Sequence, residues 1–489
     1  MILTVFPKVF GKTSFKGKQK EIVEATLRDA DVFVSAPTGM GKSLCYQLPA
    51  VAEPEGGITL VVSPLLVLMK DQVAKLRACG IDAYSLTSET PTAEKNEIMT
   101  GLESGPAFIT LLYITPEKLM VESFMGLLTP LNRRGKLKRL VIDEAHCISE
   151  WGHDFREEFR MLGRFRDHFP NVPISALTAS ATPAVRSDIK KTLQMSEEHL
   201  FSIVYPFNRD NLFYEVRPIP SMPQEAQFEL IHAYVRSLTE RRGRPSSGIV
   251  YARARATCDE LSKYLRRKGL AARPYHRGVP RPRLDLTLQE WLDGDGSCDV
   301  VCCTVAFGMG IDKADVRYVI HFDLPKSFEG YYQETGRAGR DGEPAKCILY
   351  YSREEAVKIR HFVKKSQAVR TWRGPEPSQR APNSVEALIS YAENTGICRH
   401  VLICQYFGEV IDFQDKDLVK VAYCDKMCDV CKNPERTRQR KADLDSEEWI
   451  CSQVPRLQHE ARSLESGDEE DHTKFPGDRR FTDVHKSNI

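Results

Sequence analysis

The chain has 489 residues, 42% of them hydrophobic and 28% charged, the balance of a soluble globular protein with length for about three domains. A net charge of +2 excludes a globally cationic surface, so a nucleic-acid partner would have to be held by a local basic groove. No apolar run approaches the ~18 residues of a membrane span, Met1–Phe10 lacks the basic leader and cleavage site of a secretory signal, and most of the 14 cysteines stand singly, as reduced thiols do.

From about residue 10 to 205, short apolar runs alternate with amphipathic stretches. Asp31–Ser35, Thr59–Ser63, Phe108–Ile114, Leu140–Ile142 and Ile174–Leu177 read as buried strands, and Met69–Cys79 and Val185–Leu193 have helical spacing. This alternation predicts a parallel sheet covered on both faces. The first strand runs into Ala36-Pro-Thr38-Gly39-Met-Gly41-Lys42-Ser43 and then a helix. Glycines there let backbone N–H groups close around phosphate, Lys42 reaches the β and γ oxygens of ATP, and Ser43 ligates Mg²⁺. The bland alternative is a glycine-rich strand-to-helix turn. About 100 residues on, Asp143-Glu144-Ala145-His146 follows the strand Leu140–Ile142. Carboxylates at a strand's C-terminal end sit beside the phosphate loop in such folds. Asp143 is expected to hold Mg²⁺, Glu144 to polarise the attacking water, and His146 to link the site to neighbouring segments.

The pattern restarts after Tyr205 with Gly248–Tyr251, Ala272–Tyr275, Asp299–Cys303, Val316–His321 and Ala345–Tyr350. Two successive α/β domains with a cleft between them are the simplest architecture. In the second, Gln333-Glu334-Thr335-Gly336-Arg337-Ala338-Gly339-Arg340 places two arginines three apart on one turn. Arg340 can reach across the cleft to a γ-phosphate, with Arg337 its partner; a solvent-facing basic turn is the alternative. Farther on, Cys398 and the trio Cys424-x₃-Cys428-x₂-Cys431 could place four thiolates around Zn²⁺ or be reduced thiols of a small core. Cys404 reads as core. From Pro434 the pattern dissolves into a basic run, Arg436–Lys441, and an acidic one, Glu465–Asp471, which reads as a largely disordered tail with one helix around Leu444–Leu457.

The ordered set of motifs resembles the RecQ family of DNA helicases over about residues 9–433. Phe10-Gly11…Phe15-Lys16…Gln19 resembles the family's motif upstream of the phosphate loop, with Gln19 in the place that reads adenine and Lys16 beside it. Ser63-Pro64-Leu65, Tyr113–Glu117, Leu177-Thr178-Ala179-Ser180-Ala181-Thr182, Phe207-Asn208-Arg209…Asn211-Leu212 and Ala306–Lys313 match further segments. Cys147–Arg156 resembles the aromatic-rich loop peculiar to these enzymes. There Trp151 or Phe155 can stack on an unpaired base and Arg156 can meet a phosphate, with His153 in the same loop. Lys12 stands where many relatives carry an aromatic.

The resemblance implies two tandem RecA-like α/β domains (1–206 and 207–351), a small helical zinc-binding module (352–433) and a charged tail (434–489). It implies ATP, Mg²⁺ and Zn²⁺ as cofactors and 3′→5′ movement on single-stranded or forked DNA. A nuclear, monomeric protein with protein partners bound through the tail is expected. The x₃ spacing of the cysteine trio, and the lack of a patterned winged-helix stretch after it, resemble the fifth eukaryotic paralogue branch. A DNA- or polymerase-binding factor with a dispensable ATPase is the second reading, and an RNA helicase the third.

Overall fold

The structure is a computed structural model that describes residues 2–445, apart from 12, 54–55, 105–108, 151–153, 220–221, 306, 308–312 and 372–379. Seven strands form the first sheet: β1 (Asp31–Ser35), β2 (Ile58–Val62), β3 (Ala83–Leu86), β4 (Leu111–Ile114), β5 (Leu137–Ile142), β6 (Ile174–Thr178) and β7 (Leu200–Val204). Their order is β3-β4-β2-β5-β6-β1-β7, and neighbouring strands pair in parallel. β1, β2 and β6 are buried at every position, as strands covered on both faces must be.

The second sheet holds β8 (Leu212–Pro218), β9 (Gly248–Tyr251), β10 (Ala272–Tyr275), β11 (Val300–Cys303), β12 (Tyr318–His321) and β13 (Ala345–Tyr351), in the order β10-β11-β9-β12-β13-β8 and again parallel. The two-domain α/β expectation therefore holds. Residues 205–211 link the two sheets.

The cysteine module is fused to the second domain. One contiguous core joins Tyr214, Val216 and Tyr331 to Val401, Phe407, Cys404 and Val430. Along the edge strand β8, Tyr214 N–H donates to Met427 O at 3.2 Å and Val216 N–H to Asp429 Oδ2 at 2.9 Å. The module thus occupies a sheet edge that would otherwise expose backbone donors and acceptors.

The stretch Pro434–Asp445, where the sequence suggested a loosening tail, is a helix packed on the same edge. Leu444 is buried, Arg440 Nη1 donates to Glu215 Oε1 at 3.3 Å, and Lys441 Nζ donates to Glu393 O at 3.1 Å. The rest of the expected tail, 446–489, lies outside the described residues.

Candidate nucleotide cleft, zinc centre and DNA loop

β1, β6 and β5 lie side by side, with Ser35 opposite Thr178 and Ile142 opposite Ala176. Their C-terminal ends therefore bring three segments to one rim: the phosphate loop, the acidic tetrad and Thr178–Thr182. Ala36 N–H donates to Thr178 O at 3.0 Å and locks the first to the third.

The phosphate loop opens into the helix Leu44–Ala52. Gly41 has φ +81°, and a Cβ there would lie 2.6 Å from Gln19 Nε2, so the loop needs glycine on both counts. Gln19 is buried, and its amide serves the loop. Its Oε1 accepts from Lys16 N–H at 2.8 Å, while Nε2 donates to Met40 O at 2.8 Å and Gly41 O at 3.2 Å. Lys42 Nζ donates to Ala36 O at 2.9 Å. Burial lowers its pKa, against the pull of Glu144 and Asp143.

Asp143 N–H continues the sheet by donating to Val62 O at 2.9 Å. Burial, then the neighbouring Glu144 charge, pushes the Asp143 carboxyl up to about 7. A bound divalent cation would favour the ionised form. Glu144 takes a left-handed conformation, φ 52°, which turns the chain out of the strand. Its Oε2 lies 3.4 Å from Nδ1 of the fully buried His146, and that nitrogen lies 3.1 Å from Thr178 Oγ1.

The second domain closes the cleft from the other side. Thr38 Oγ1 donates to Gly336 O at 2.9 Å, and Gln333 Nε2 donates to Ser180 Oγ at 2.6 Å. Arg340 packs on the phosphate loop, its Cγ 3.5 Å from where a Cβ on Gly39 would sit. The resulting cleft, about 560 Å³, is lined by Lys16, Gln19, Thr38, Gly39, Gly41, Lys42, Ser43, Asp143, Glu144 and Arg340, with Phe10 as an apolar wall. The structure thus brings together every residue expected at ATP apart from two. His146 sits one layer behind. Arg337 is buried inside the second domain, its charge acting on Tyr251.

Arg209, part of the segment Phe207–Leu212 that matched the family, has a role the motif alone did not specify. Its Nη2 donates to Gly339 O at 2.9 Å and Ala338 O at 3.1 Å, while Nη1 donates to Thr38 O at 3.3 Å. One linker residue therefore touches both loops that face the nucleotide.

The four cysteines Cys398, Cys424, Cys428 and Cys431 converge, with all sulfurs within 4.8 Å of one another. Cys428 Sγ is 3.9 Å from Cys398 Sγ. Tetrahedral zinc with Zn–S of about 2.3 Å sets sulfurs about 3.8 Å apart, so the set fits this ion. Behind the ligands, buried Arg399 pairs with buried Asp429, Nε to Oδ1 at 2.9 Å. Each flanks a cysteine in sequence, a signal that could have been read.

Trp151 and His153 of the aromatic loop lie outside the described residues. Phe155 is half-buried. Arg156 is committed within the first domain, donating to Pro64 O at 2.9 Å and Asp154 Oδ2 at 3.1 Å. It therefore braces the loop against Ser63-Pro64-Leu65. A separate basic cleft of about 370 Å³ opens between β8 and the helix Pro434–Asp445, lined by Arg217, Lys346, Lys432, Arg436 and Arg440 around Glu215.

Known families match in the same order. Residues 16–190 match the DEAD/DEAH box helicase family, 227–342 the helicase conserved C-terminal domain, and 353–432 the RecQ zinc-binding domain. The RecQ-like DNA helicase BLM of Xenopus laevis is 42% identical over 409 residues, 83% of this chain and 29% of that protein. The ATP-dependent DNA helicase Q5 of Rattus norvegicus is 40% identical over 456 residues, 92% of this chain and 45% of that protein. The ATP-dependent DNA helicase RecQ of Pasteurella multocida is 39% identical over 437 residues, 89% of this chain and 62% of that protein. The chain thus spans less than half the length of these two eukaryotic relatives. Among solved structures, the DEAD-box helicase Mss116 bound to single-stranded RNA is similar at a TM-score of 0.57 and 14% identity, over 79% of this chain and 88% of that one. At that identity the likeness concerns the fold. The converging phosphate loop, acidic tetrad, arginine motif and four-cysteine zinc module, with these matches in register, make the chain a member of the RecQ family of DNA helicases.

Proposed function

We propose that the chain is an ATP-driven motor that moves 3′→5′ on single-stranded DNA and separates duplex strands, serving DNA repair and recombination in the nucleus. The observation that carries this is the composite cleft, in which Lys42, Glu144 and Arg340 from two domains face one volume. ATP would draw the domains together. Lys42 would hold the β and γ oxygens, and Ser43 and Asp143 the Mg²⁺. Glu144 would polarise the attacking water, and Arg340 would neutralise charge developing on the γ-phosphate. Gln19, tied to the loop carbonyls, would sense occupancy of the base site beside Phe10, and Arg337 would hold the arginine turn in place.

The DNA track would cross both domains near the aromatic loop. Stacking on an aromatic is worth about 1–3 kcal/mol per base. Trp151→Ala should therefore raise the single-strand concentration that half-saturates the ATPase about tenfold, and spare basal turnover. Equal loss of both rates would assign Trp151 to packing. At the fork, the basic cleft at Lys432, Arg436 and Arg440 would meet duplex phosphates, each contact steepening the salt dependence by about one counterion. The proposed working unit is a monomer of two motor domains (1–206, 207–351), the zinc module and the tail, which would carry protein partners.

Duplexes bearing a single 3′ or 5′ tail test the polarity. Unwinding of the 3′-tailed substrate alone supports it; unwinding of the 5′-tailed substrate alone would overturn it.

A further inference from the structure

The zinc module makes contacts that neither metal binding nor DNA contact explains. Three consecutive residues after the helix Arg399–Tyr406 reach all the parts that must move when the cleft closes. Phe407 stacks on Phe207 of the interdomain linker, with centroids 4.5 Å apart and planes at 12°. It also meets the ring of Tyr332 in the second domain at 4.7 Å, and its carbonyl accepts from Arg186 of the first domain at 3.3 Å. Gly408, at φ +93°, lies so close to that domain that a Cβ would sit 2.4 Å from Pro183 Cγ. Glu409 Oε1 accepts from Phe207 N–H at 2.7 Å, and its Oε2 lies 3.4 Å from the Tyr423 hydroxyl.

The next linker residue is held by the same module. Asn208 Oδ1 is 2.7 Å from His400 Nδ1, and Asn208 Nδ2 donates to Tyr423 O at 2.9 Å. One residue further on, Arg209 bridges Thr38 O of the phosphate loop and Gly339 O of the arginine motif. A linker free to swivel could not keep a guanidinium in register with two loops on different domains. A linker gripped at Phe207 and Asn208 can.

We propose that the zinc module clamps the interdomain linker, Glu409 and Phe407 fixing Phe207 so that Arg209 couples the two nucleotide-facing loops. Glu409 is a positioning residue. It lies outside the ATP cleft and acts on turnover through the linker. The inference rests on the reading that ATP closes the two domains.

The test uses the full chain with zinc bound, a donor–acceptor dye pair on the outer faces of the two α/β domains, and a non-hydrolysable ATP analogue with single-stranded DNA. Glu409→Ala removes the acceptor for Phe207 N–H, whereas Glu409→Gln keeps an Oε1 that accepts. Glu409→Ala should lower the DNA-stimulated kcat about tenfold, the weight of one charged hydrogen bond. KM for ATP should stay within about twofold, because the site itself is untouched. The closed population should fall in parallel, zinc content should stay at the wild-type level, and Glu409→Gln should restore both readouts. Should Glu409→Ala lose zinc or solubility, Phe407→Leu, which removes the stack and leaves the carboxylate, carries the same expectation. A Glu409→Ala chain that closes and turns over as wild type, or a Glu409→Gln chain as impaired as Glu409→Ala, would overturn the clamp. A wild-type chain that fails to close around nucleotide would overturn the motor reading, and the clamp with it.

Discussion

Glu144→Gln should stop ATP turnover while nucleotide still binds. The carboxylate sits at the cleft wall beside Asp143, with Oε2 3.4 Å from His146 Nδ1. The amide keeps the shape and loses the basicity that draws a proton from the attacking water, a loss of about 10²–10⁴-fold. Lys42→Ala removes a different element. Its ammonium is a buried cation that interacts with both carboxylates, and its loss weakens the compensation of Asp143 and Glu144 as well as the grip on phosphate. Turnover should fall at least as far, and nucleotide affinity should fall with it. Steady-state hydrolysis alongside equilibrium binding of a fluorescent ATP analogue separates the two variants. Near-normal turnover by Glu144→Gln would remove Glu144 from the chemistry.

Cys428→Ser should release the zinc and cost the chain its solubility. Cys428 is fully buried, its sulfur 3.9 Å from that of Cys398, and its backbone bridges to Tyr214 on β8. Structural zinc is worth about 10–16 kcal/mol of apparent binding free energy in isolated fingers, and that energy goes into folding. The module's core is continuous with that of the second domain, so its loss uncovers the β8 edge and the apolar surface behind it. Metal analysis of wild type should give one zinc per chain. The variant should give close to none, with most of the protein in the pellet. Folded, active wild-type protein without zinc would contradict this.

Residues that act through local chemistry could be read from the sequence. The phosphate loop, the acidic tetrad and the cysteine trio each lie in a few consecutive positions, and the structure brings each to a shared site. Several strands were equally legible: β1 and β9, inside their sheets, and the edge strand β10 have the bounds of the apolar runs. The three strands left unread, Ala83–Leu86, Leu200–Val204 and Leu212–Pro218, all lie at sheet edges. An edge strand buries fewer of its residues, as in β7, where none is fully buried, so its apolar run is diluted. The helix Pro434–Asp445 escaped for a related reason: its buried positions are only Thr437 and Leu444, too few to set a period. Arg209 and Gln333 stood in motif segments, but the contacts of Arg209 with Gly336, of Glu409 with Phe207 and of Gln333 with Ser180 were out of reach: they join residues 127 to 202 apart along the chain, and no spacing rule encodes them. For Arg156, expected at a phosphate from its place in the aromatic-rich loop, the structure shows hydrogen bonds to Asp154 and Pro64.

The central claim is that ATP hydrolysis in this cleft is coupled to single-stranded DNA. ATP turnover measured with no nucleic acid, single-stranded DNA, duplex DNA and single-stranded RNA of matched length tests it most directly. The account predicts strong stimulation by single-stranded DNA, weaker stimulation by duplex, and almost none by RNA. Turnover indifferent to all four conditions, or stimulated by RNA as much as by DNA, would contradict it.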